Sequence, residues 1–292
     1  MKEITVFTPT YNRALILPKL YNSLCKQTNK NFLWLVIDDG SEDSTSKLFE
    51  KWMKDEIIEI AYEKQENKGK MNAHNVAVKK TQTALFVCVD SDDYLLENAI
   101  ENIINSKKHI IMNNIAGMIA FRKMDNKDNH EYTFKNYEMS TMSNLYKNGF
   151  SGETTIVFKT DVIKKFLFPE IEGEKFITER YIYDQIDQEY KYILLSEPLV
   201  VCKFFQDGYT KNITKIMLHN PKGYALYYNQ SLNLFHLKLK NRITYTMLYI
   251  AFSKLGNQKN IYRNSNCKSF IIYSIALILS FLYRKKLIKS LN

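Results

Sequence analysis

A mostly parallel, mixed α/β sheet of Rossmann-like type, flanked by helices and followed by a basic helical extension, is the fold class this sequence predicts. Three observations predict it. Through the first hundred residues, short apolar runs rich in β-branched and aromatic side chains alternate with helix-length segments, the order of a doubly wound sheet. The runs are continuous rather than alternating, as in Phe32 to Ile37, so both faces of each strand must be covered. Polar turns gather where the strands end, the edge at which such sheets bind ligands.

Ile4 to Phe7 is the first strand and stops at Thr8-Pro9-Thr10-Tyr11-Asn12-Arg13. A helix carrying Leu15, Leu17, Leu20 and Leu24 leads to the second strand, Phe32 to Ile37. That strand ends in Asp38-Asp39-Gly40-Ser41-Glu42-Asp43-Ser44-Thr45, where Gly40 permits a tight turn and Asp43 or Ser44 caps the helix through Trp52. A third strand near Ile57 to Tyr62 runs into Asn67-Lys68-Gly69-Lys70-Met71-Asn72-Ala73-His74-Asn75, and a helix continues to about Lys80. Phe86 to Val89 is the fourth strand and delivers Asp90-Ser91-Asp92-Asp93 to its C-terminal edge. Met118 to Phe121 and Thr154 to Phe158 complete the sheet, with Lys123 to Asn129 as a surface hairpin tip. Leu199 to Phe205 is a further buried run, and Gln206 to Asn212 after it is either a flap over the ligand or an ordinary loop.

Three carboxylates in four positions repel one another and raise one another's pKa unless a cation intervenes. The cluster therefore calls for Mg²⁺ or Mn²⁺, which carboxylates and water suit. The other reading is an acidic cap on a helix starting near Tyr94.

The composition excludes several classes. The chain has 292 residues, 45% of them hydrophobic, enough for a full core. Its net charge is +10, yet all 31 acidic residues lie at or before Asp207, and residues 208 to 292 carry 14 Lys and Arg with no acid. The charge belongs to the tail, and no nucleic-acid-binding module accompanies it, so no nucleic-acid partner is expected. Cys25, Cys88, Cys202 and Cys267 form no C-x-x-C pair, against a zinc site or disulfide framework. Met1 to Val6 enters a strand without the features of a signal peptide, and a cytoplasmic protein is expected. No glycine occurs between Met1 and Asp39, and no G-x-x-x-x-G-K-[ST] is present, which removes the nicotinamide-dinucleotide fingerprint and the P-loop.

Thr8 to Arg13, Asp38-Asp39-Gly40-Ser41, the Asn67-x-Gly69 to Ala73-x-Asn75 segment and Asp90-Ser91-Asp92-Asp93, in this order and spacing, resemble family 2 of the inverting, nucleotide-sugar-dependent glycosyltransferases. The resemblance covers the first hundred residues well and the rest loosely. It implies a GT-A fold with its D-x-D element at Asp90 to Asp92, and a donor site taking in Thr8, Pro9, Tyr11, Arg13, Asp39, Asn67, Gly69, Lys70, Asn75, Asp90 and Ser91. Thr8 and Tyr11 would hold the base and ribose, and Asp39 would accept a hydrogen from the base, which suits the imide of uracil and a UDP-sugar. Asn67, Gly69 and Lys70, at a helix start, would hold the diphosphate. Asp90 would touch the ribose or the metal's water shell and Asp92 would ligate Mn²⁺ or Mg²⁺.

Relatives frequently carry Glu-Asp where the base is credited, whereas this chain has Glu179-Arg180. Glu179 is therefore the first candidate base, Asp184 the second and Glu174 the third. His74 stands where many relatives have Arg, beside the plainer reading of a helix-face histidine, and His219 is an outlying candidate ligand. The implied activity is hexosyl or N-acetylhexosaminyl transfer to a glycan or lipid-linked acceptor in bacterial surface polysaccharide or glycolipid assembly. The alternative is a non-catalytic, membrane-associated scaffold retaining the fold.

The expected organisation is a catalytic domain over 1–215, with a nucleotide-sugar half at 1–107 and an acceptor half at 108–215, and an extension over 216–292. Ser269 to Tyr283 is a 15-residue run without charge, followed by Arg284-Lys285-Lys286 and Lys289. As a helix it reaches roughly 22 Å, short of the ~30 Å hydrocarbon core. Peripheral contact of 221–292 with the inner face of the cell membrane is expected; a helix packed on the core and a homo-oligomer pairing through Ile243 to Phe252 are the other readings.

Overall fold

The computed structural model describes residues 2–125, 134, 138–202, 212–234 and 237–289. The hairpin tip beyond Asp125 and the flap at 206–211 lie outside the described residues. The chain divides into two compact units, one of Met1–Leu167 and Glu189–Phe204, the other of Phe168–Gln188 and Phe205–Asn292.

The first unit opens with β1 (Ile4–Thr10), α1 (Leu17–Cys25), β2 (Phe32–Asp38), α2 (Thr45–Asp55), β3 (Ile60–Lys64), α3 (Lys70–Lys80) and β4 (Leu85–Cys88), in the expected alternation. It continues with β5 (Tyr94–Leu95), α4 (Ala99–Ser106), β6 (Ile115–Phe121), β7 (Lys123–Met124), β8 (Met139–Ser140), α5 (Met142–Lys147), β9 (Thr154–Lys159) and α6 (Thr160–Ile163). After α7 (Arg180–Glu189), which lies almost wholly in the second unit, come β10 (Lys191–Leu195) and β11 (Val200–Cys202).

Among the described residues an eight-stranded sheet runs β3-β2-β1-β4-β9-β6-β10-β8, beside a small sheet β5-β11-β7. β1 to β4 are parallel, and β9 enters antiparallel between β4 and β6. Because β2 and β4 flank β1 on opposite sides, the chain changes direction of winding at the β1/β4 boundary. Open α/β sheets bind ligands at such a switch point, outside the carboxyl ends of the strands.

Leu17, Leu20, Tyr21 and Leu24 recur at helical spacing and bury one face of α1. Leu15, expected on that face, is exposed, because Pro18 sits in the first turn and the helix starts only at Leu17. An aromatic cluster seats α1 and α2 on the sheet: Tyr21 stacks on Trp52 at 4.2 Å between centroids, and Trp34 meets Phe49 at 5.2 Å. The helix expected from Tyr94 begins instead at Ala99, since Tyr94 and Leu95 pair as a strand with Val201 and Val200. In β6 the pairing with β10 shifts by one residue next to Gly117, whose φ is +154°. A Cβ built there would lie 1.9 Å from the carbonyl oxygen of Val157 in β9. Only glycine lets the two strands approach this closely.

The second unit holds α7, α8 (Ile213–His219), α9 (Pro221–Leu234), α10 (Leu239–Leu255) and α11 (Phe270–Lys289). Tyr224, Leu232, Ile250, Phe252, Tyr273 and Ala276 form its core. Glu174 receives the backbone amides of Lys222 and Gly223 at 2.7 and 2.8 Å, capping α9. On α7, Arg180 pairs with Asp184 at 2.6 Å, and Tyr227 of α9 donates its hydroxyl to Asp184 at 3.3 Å.

Candidate active site

Four strand-end loops of the first unit converge at the β1/β4 switch point, and the sequence shows why each holds its shape. After β1, Asn12 takes a left-handed φ of 51°, accessible to Asn at small cost. Its amide N–H donates to Ser41 Oγ at 2.8 Å and its Oδ1 accepts from Glu42 N at 2.8 Å. Asp43 accepts from Ala14 N and from Thr45 N, each at 3.0 Å, so it ties the loop after β1 to the start of α2. Burial opposes the charged form of Asp43, but these hydrogen bonds prevail and lower its pKa. The resulting double loop leaves the Tyr11 ring exposed and Arg13 half-buried.

Asp39 anchors a second layer. One oxygen accepts from Gln65 Nε2 and Lys68 N, both at 2.8 Å, and the other from Gly69 N at 2.7 Å. An ionised carboxylate offers about four acceptor positions, and among the described residues three are taken. Gly69, at φ 91°, is the residue from which α3 starts, and the first turn of that helix presents amide donors and partial positive charge. Among the described residues the buried hydroxyl of Thr10 and the buried amide oxygen of Gln65 make no hydrogen bond; such groups are ordinarily satisfied by protein, water or ligand.

The carboxylate cluster forms the third layer. Lys70 Nζ sits 2.8 Å from Asp90, and Arg122, directly after β6, lies 2.7 Å from Asp93 and 3.9 Å from Asp90. Two side chains of the protein thus supply part of the positive charge that three clustered carboxylates call for. The Asp90 side chain is 30% exposed and that of Asp93 5%. Burial works against the charge on Asp90, but Lys70 and Arg122 overcome it and lower its pKa. For Asp93 burial prevails over Arg122 and raises the carboxyl to about 7. Asp92 is raised by burial and by the neighbouring charge of Asp90. Asp93 pairs with Arg122 and precedes a strand, so it is not the helix cap of the alternative reading.

The other expected site residues fall as follows. Thr8 is fully buried and its hydroxyl accepts from Trp34 Nε1 at 3.0 Å, and Pro9 is buried in β1 opposite Ile37. Asn67 is half-buried in the loop before α3, while Asn75 on α3 and Ser91 are buried. His74 presents its ring edge-on to Phe7 and Phe86 at 5.8 and 5.4 Å, the packing of a core histidine. Glu179, half-exposed ahead of α7, and Asp184, wholly buried on it, belong to the second unit. His219 is exposed at the end of α8, its Nδ1 2.7 Å from the carbonyl of Lys215. Arg122 escaped the sequence reading, although it follows the apolar run Ile115 to Phe121 as directly as Asp90 follows the run Phe86 to Val89.

The donor set fits a divalent cation held jointly with a bound phosphate. Mg²⁺ and Mn²⁺ are commonly bound by one or two carboxylates plus phosphate oxygens and water, and Asp92, with Asp90 beside it, provides that number. Among the described residues no group of three or more His, Cys, Asp or Glu forms an all-protein metal cage.

Comparisons with known proteins bear on the fold and the family. A Rickettsia bellii protein described as an uncharacterized glycosyltransferase is 33% identical over 99 residues, 34% of this chain; the chain spans only 14% of that relative's length. The Escherichia coli UDP-Glc:alpha-D-GlcNAc-diphosphoundecaprenol beta-1,3-glucosyltransferase WfgD is 28% identical over 174 residues, 59% of this chain and 66% of WfgD. The crystal structure of Staphylococcus aureus TarS 1-349 with UDP-GlcNAc superposes with a TM-score of 0.63 at 19% identity, over 95% of this chain and 79% of that one, and so shares the GT-A fold. The family model of Glycosyl transferase family 2 matches residues 5–171, which takes in all four loops at the switch point, and the chain belongs to that family.

Proposed function

We propose that this chain transfers a sugar, with inversion, from a UDP-sugar to a hydroxyl of a cell-surface glycan or its lipid-linked precursor, assisted by Mn²⁺ or Mg²⁺. The observation that carries the reading is the meeting of Lys70, Arg122 and the Asp90 and Asp93 carboxylates at the switch point, where the loop after β1 carries the exposed Tyr11. WfgD is named for a UDP-glucose donor and a diphosphoundecaprenol acceptor, and TarS was crystallised with UDP-GlcNAc; both names support a UDP-linked donor here.

In this reading Tyr11 gives the uracil ring a face to stack on, and the remaining acceptor position of Asp39 takes its imide N–H. The amides opening α3 and the Lys70 ammonium hold the diphosphate. Asp92, with Asp90, would hold the cation, whose chemistry is to neutralise charge on the departing UDP. Glu179 takes the proton of the attacking hydroxyl. The role falls to it rather than to Asp184, whose carboxylate is wholly buried between Arg180 and Tyr227. A lipid-linked acceptor brings the reaction to a membrane surface.

Thermal-shift titration with UDP, with and without Mn²⁺, tests the donor half, because a ligand stabilises the fold with the logarithm of its concentration over Kd. UDP release from UDP-sugars tests turnover. Asp92→Asn is expected to keep the wild-type melting temperature without ligand, lose the Mn²⁺-dependent part of the UDP shift and reduce UDP release at least 100-fold. Glu179→Gln is expected to keep the UDP shift and lose turnover. A wild-type protein that binds UDP yet releases none from any UDP-sugar with any glycan acceptor would favour the scaffold reading instead.

A further inference from the structure

We propose that the outward face of α11 is a docking surface for an anionic lipid bilayer, on which the helix lies in the plane of the interface. This goes beyond the transfer reaction and rests on a different part of the chain.

α11 buries Tyr273, Ala276, Ser280 and Leu287 in the second unit's core. Its opposite side carries Ile271, Ile275, Ile278 and Leu282 at steps of four and three residues, flanked by Phe270 and Phe281, and all six are exposed. Ile271 and Ile278 are 72% and 69% exposed. An ordinary water-facing helix is polar at these positions, and a contiguous apolar patch marks an interaction site.

The stripe does not end in more apolar residues. Its next two positions are Lys285 and Lys289, both exposed, with Lys286 beside them. No Asp or Glu occurs anywhere from residue 208 to 292, against 14 Lys and Arg. That asymmetry selects the occupant. A second copy of this chain would bring its own Lys285, Lys286 and Lys289 on the same face of α11 to the contact, which disfavours pairing. An anionic bilayer offers acyl chains to the isoleucines and phenylalanines and negative headgroups to the lysines, whose long stems let the ammonium reach the headgroup layer. Among the described residues no helix is long and apolar enough to cross a membrane. One face of α11 is already packed in protein, which also suits an in-plane position.

Co-sedimentation of the full chain with vesicles tests this without donor or acceptor, so its outcome is independent of sugar transfer. The chain is expected to pellet with phosphatidylcholine–phosphatidylglycerol vesicles and to remain largely in solution with phosphatidylcholine alone. Ile271→Asn combined with Ile278→Asn should lower the partition coefficient by about tenfold or more, since several large apolar contacts are lost. Lys285→Gln and Lys289→Gln should each lower it about fivefold and flatten its salt dependence. Both sets lie outside the core, so circular dichroism and the UDP thermal shift should match wild type. The lysine variants add no polar group to an apolar surface, which guards against misfolding as the cause. Wild type that ignores the anionic vesicles, or variants that bind them equally well, overturns the proposal. A wild-type dimer that the isoleucine variants convert to monomer overturns it too, and gives the face to a second copy.

Discussion

Asp39 commits both carboxylate oxygens to the loop that opens α3, while its own N–H donates to Thr10 O at 2.8 Å. One residue therefore joins the ends of β1 and β2 to the helix start. Asp39→Asn replaces one acceptor oxygen with a donor that must face a backbone or side-chain N–H. The expected cost is about 2–4 kcal/mol in urea unfolding, together with a weakened UDP shift. Arg122 is the corresponding partner of Asp93. Removing it as Arg122→Ala leaves Asp93 without its nearest cation and favours its neutral form further, so the variant is expected to be destabilised more at pH 8 than at pH 6 in the same measurement. Asp90 and Asp92 were legible in the sequence because an apolar strand delivers them. Arg122 and the anchoring bonds of Asp39 were not, since their partners come from segments about 30 residues away in the chain.

At the scale of elements, β1, β2 and β4 could be read directly, because each carries a continuous apolar run bounded by turn residues, whereas β3 spans Ile60–Lys64 rather than Ile57 to Tyr62 and ends in Glu63 and Lys64. Tyr94-Leu95 could not be read, since its strand character depends on Val200-Val201 about a hundred residues later. Gly117 marks where β6 and β9 touch. Gly117→Ala is expected to destabilise the sheet by on the order of 3 kcal/mol in a denaturant melt, because the obstructing atom is backbone and cannot swing aside. In α7, burial raises the Asp184 carboxyl to about 6, against the pull of Arg180. The folded state therefore holds that proton more tightly than the unfolded chain. Its contribution to stability is full below about pH 4 and is lost as pH rises through about 6, by roughly 3 kcal/mol. The difference in unfolding free energy between wild type and Asp184→Asn, measured from pH 4 to 7, should trace that decline.

For the molecule as a whole, charge segregation was plain in the sequence, whereas the division of the chain was not. Phe168–Gln188 joins the C-terminal helices although β10 and β11 follow it in the first unit, because side-chain partners such as Tyr227 for Asp184 assign α7 to its company. The order of strands carries a consequence for synthesis. β4 pairs along one side with β1 and along the other with β9, Leu85 opposite Lys159. While the chain emerges from a ribosome, β4 is made some seventy residues before the strand that covers its open edge, and that edge bears Phe86 and Val87. A nascent chain paused in this interval presents an unpaired, apolar strand to its neighbours. A fragment ending at residue 107 is accordingly expected to scatter light and bind chaperone, whereas one extended past Leu195, in which β9 covers β4 and β10 covers β6, is not.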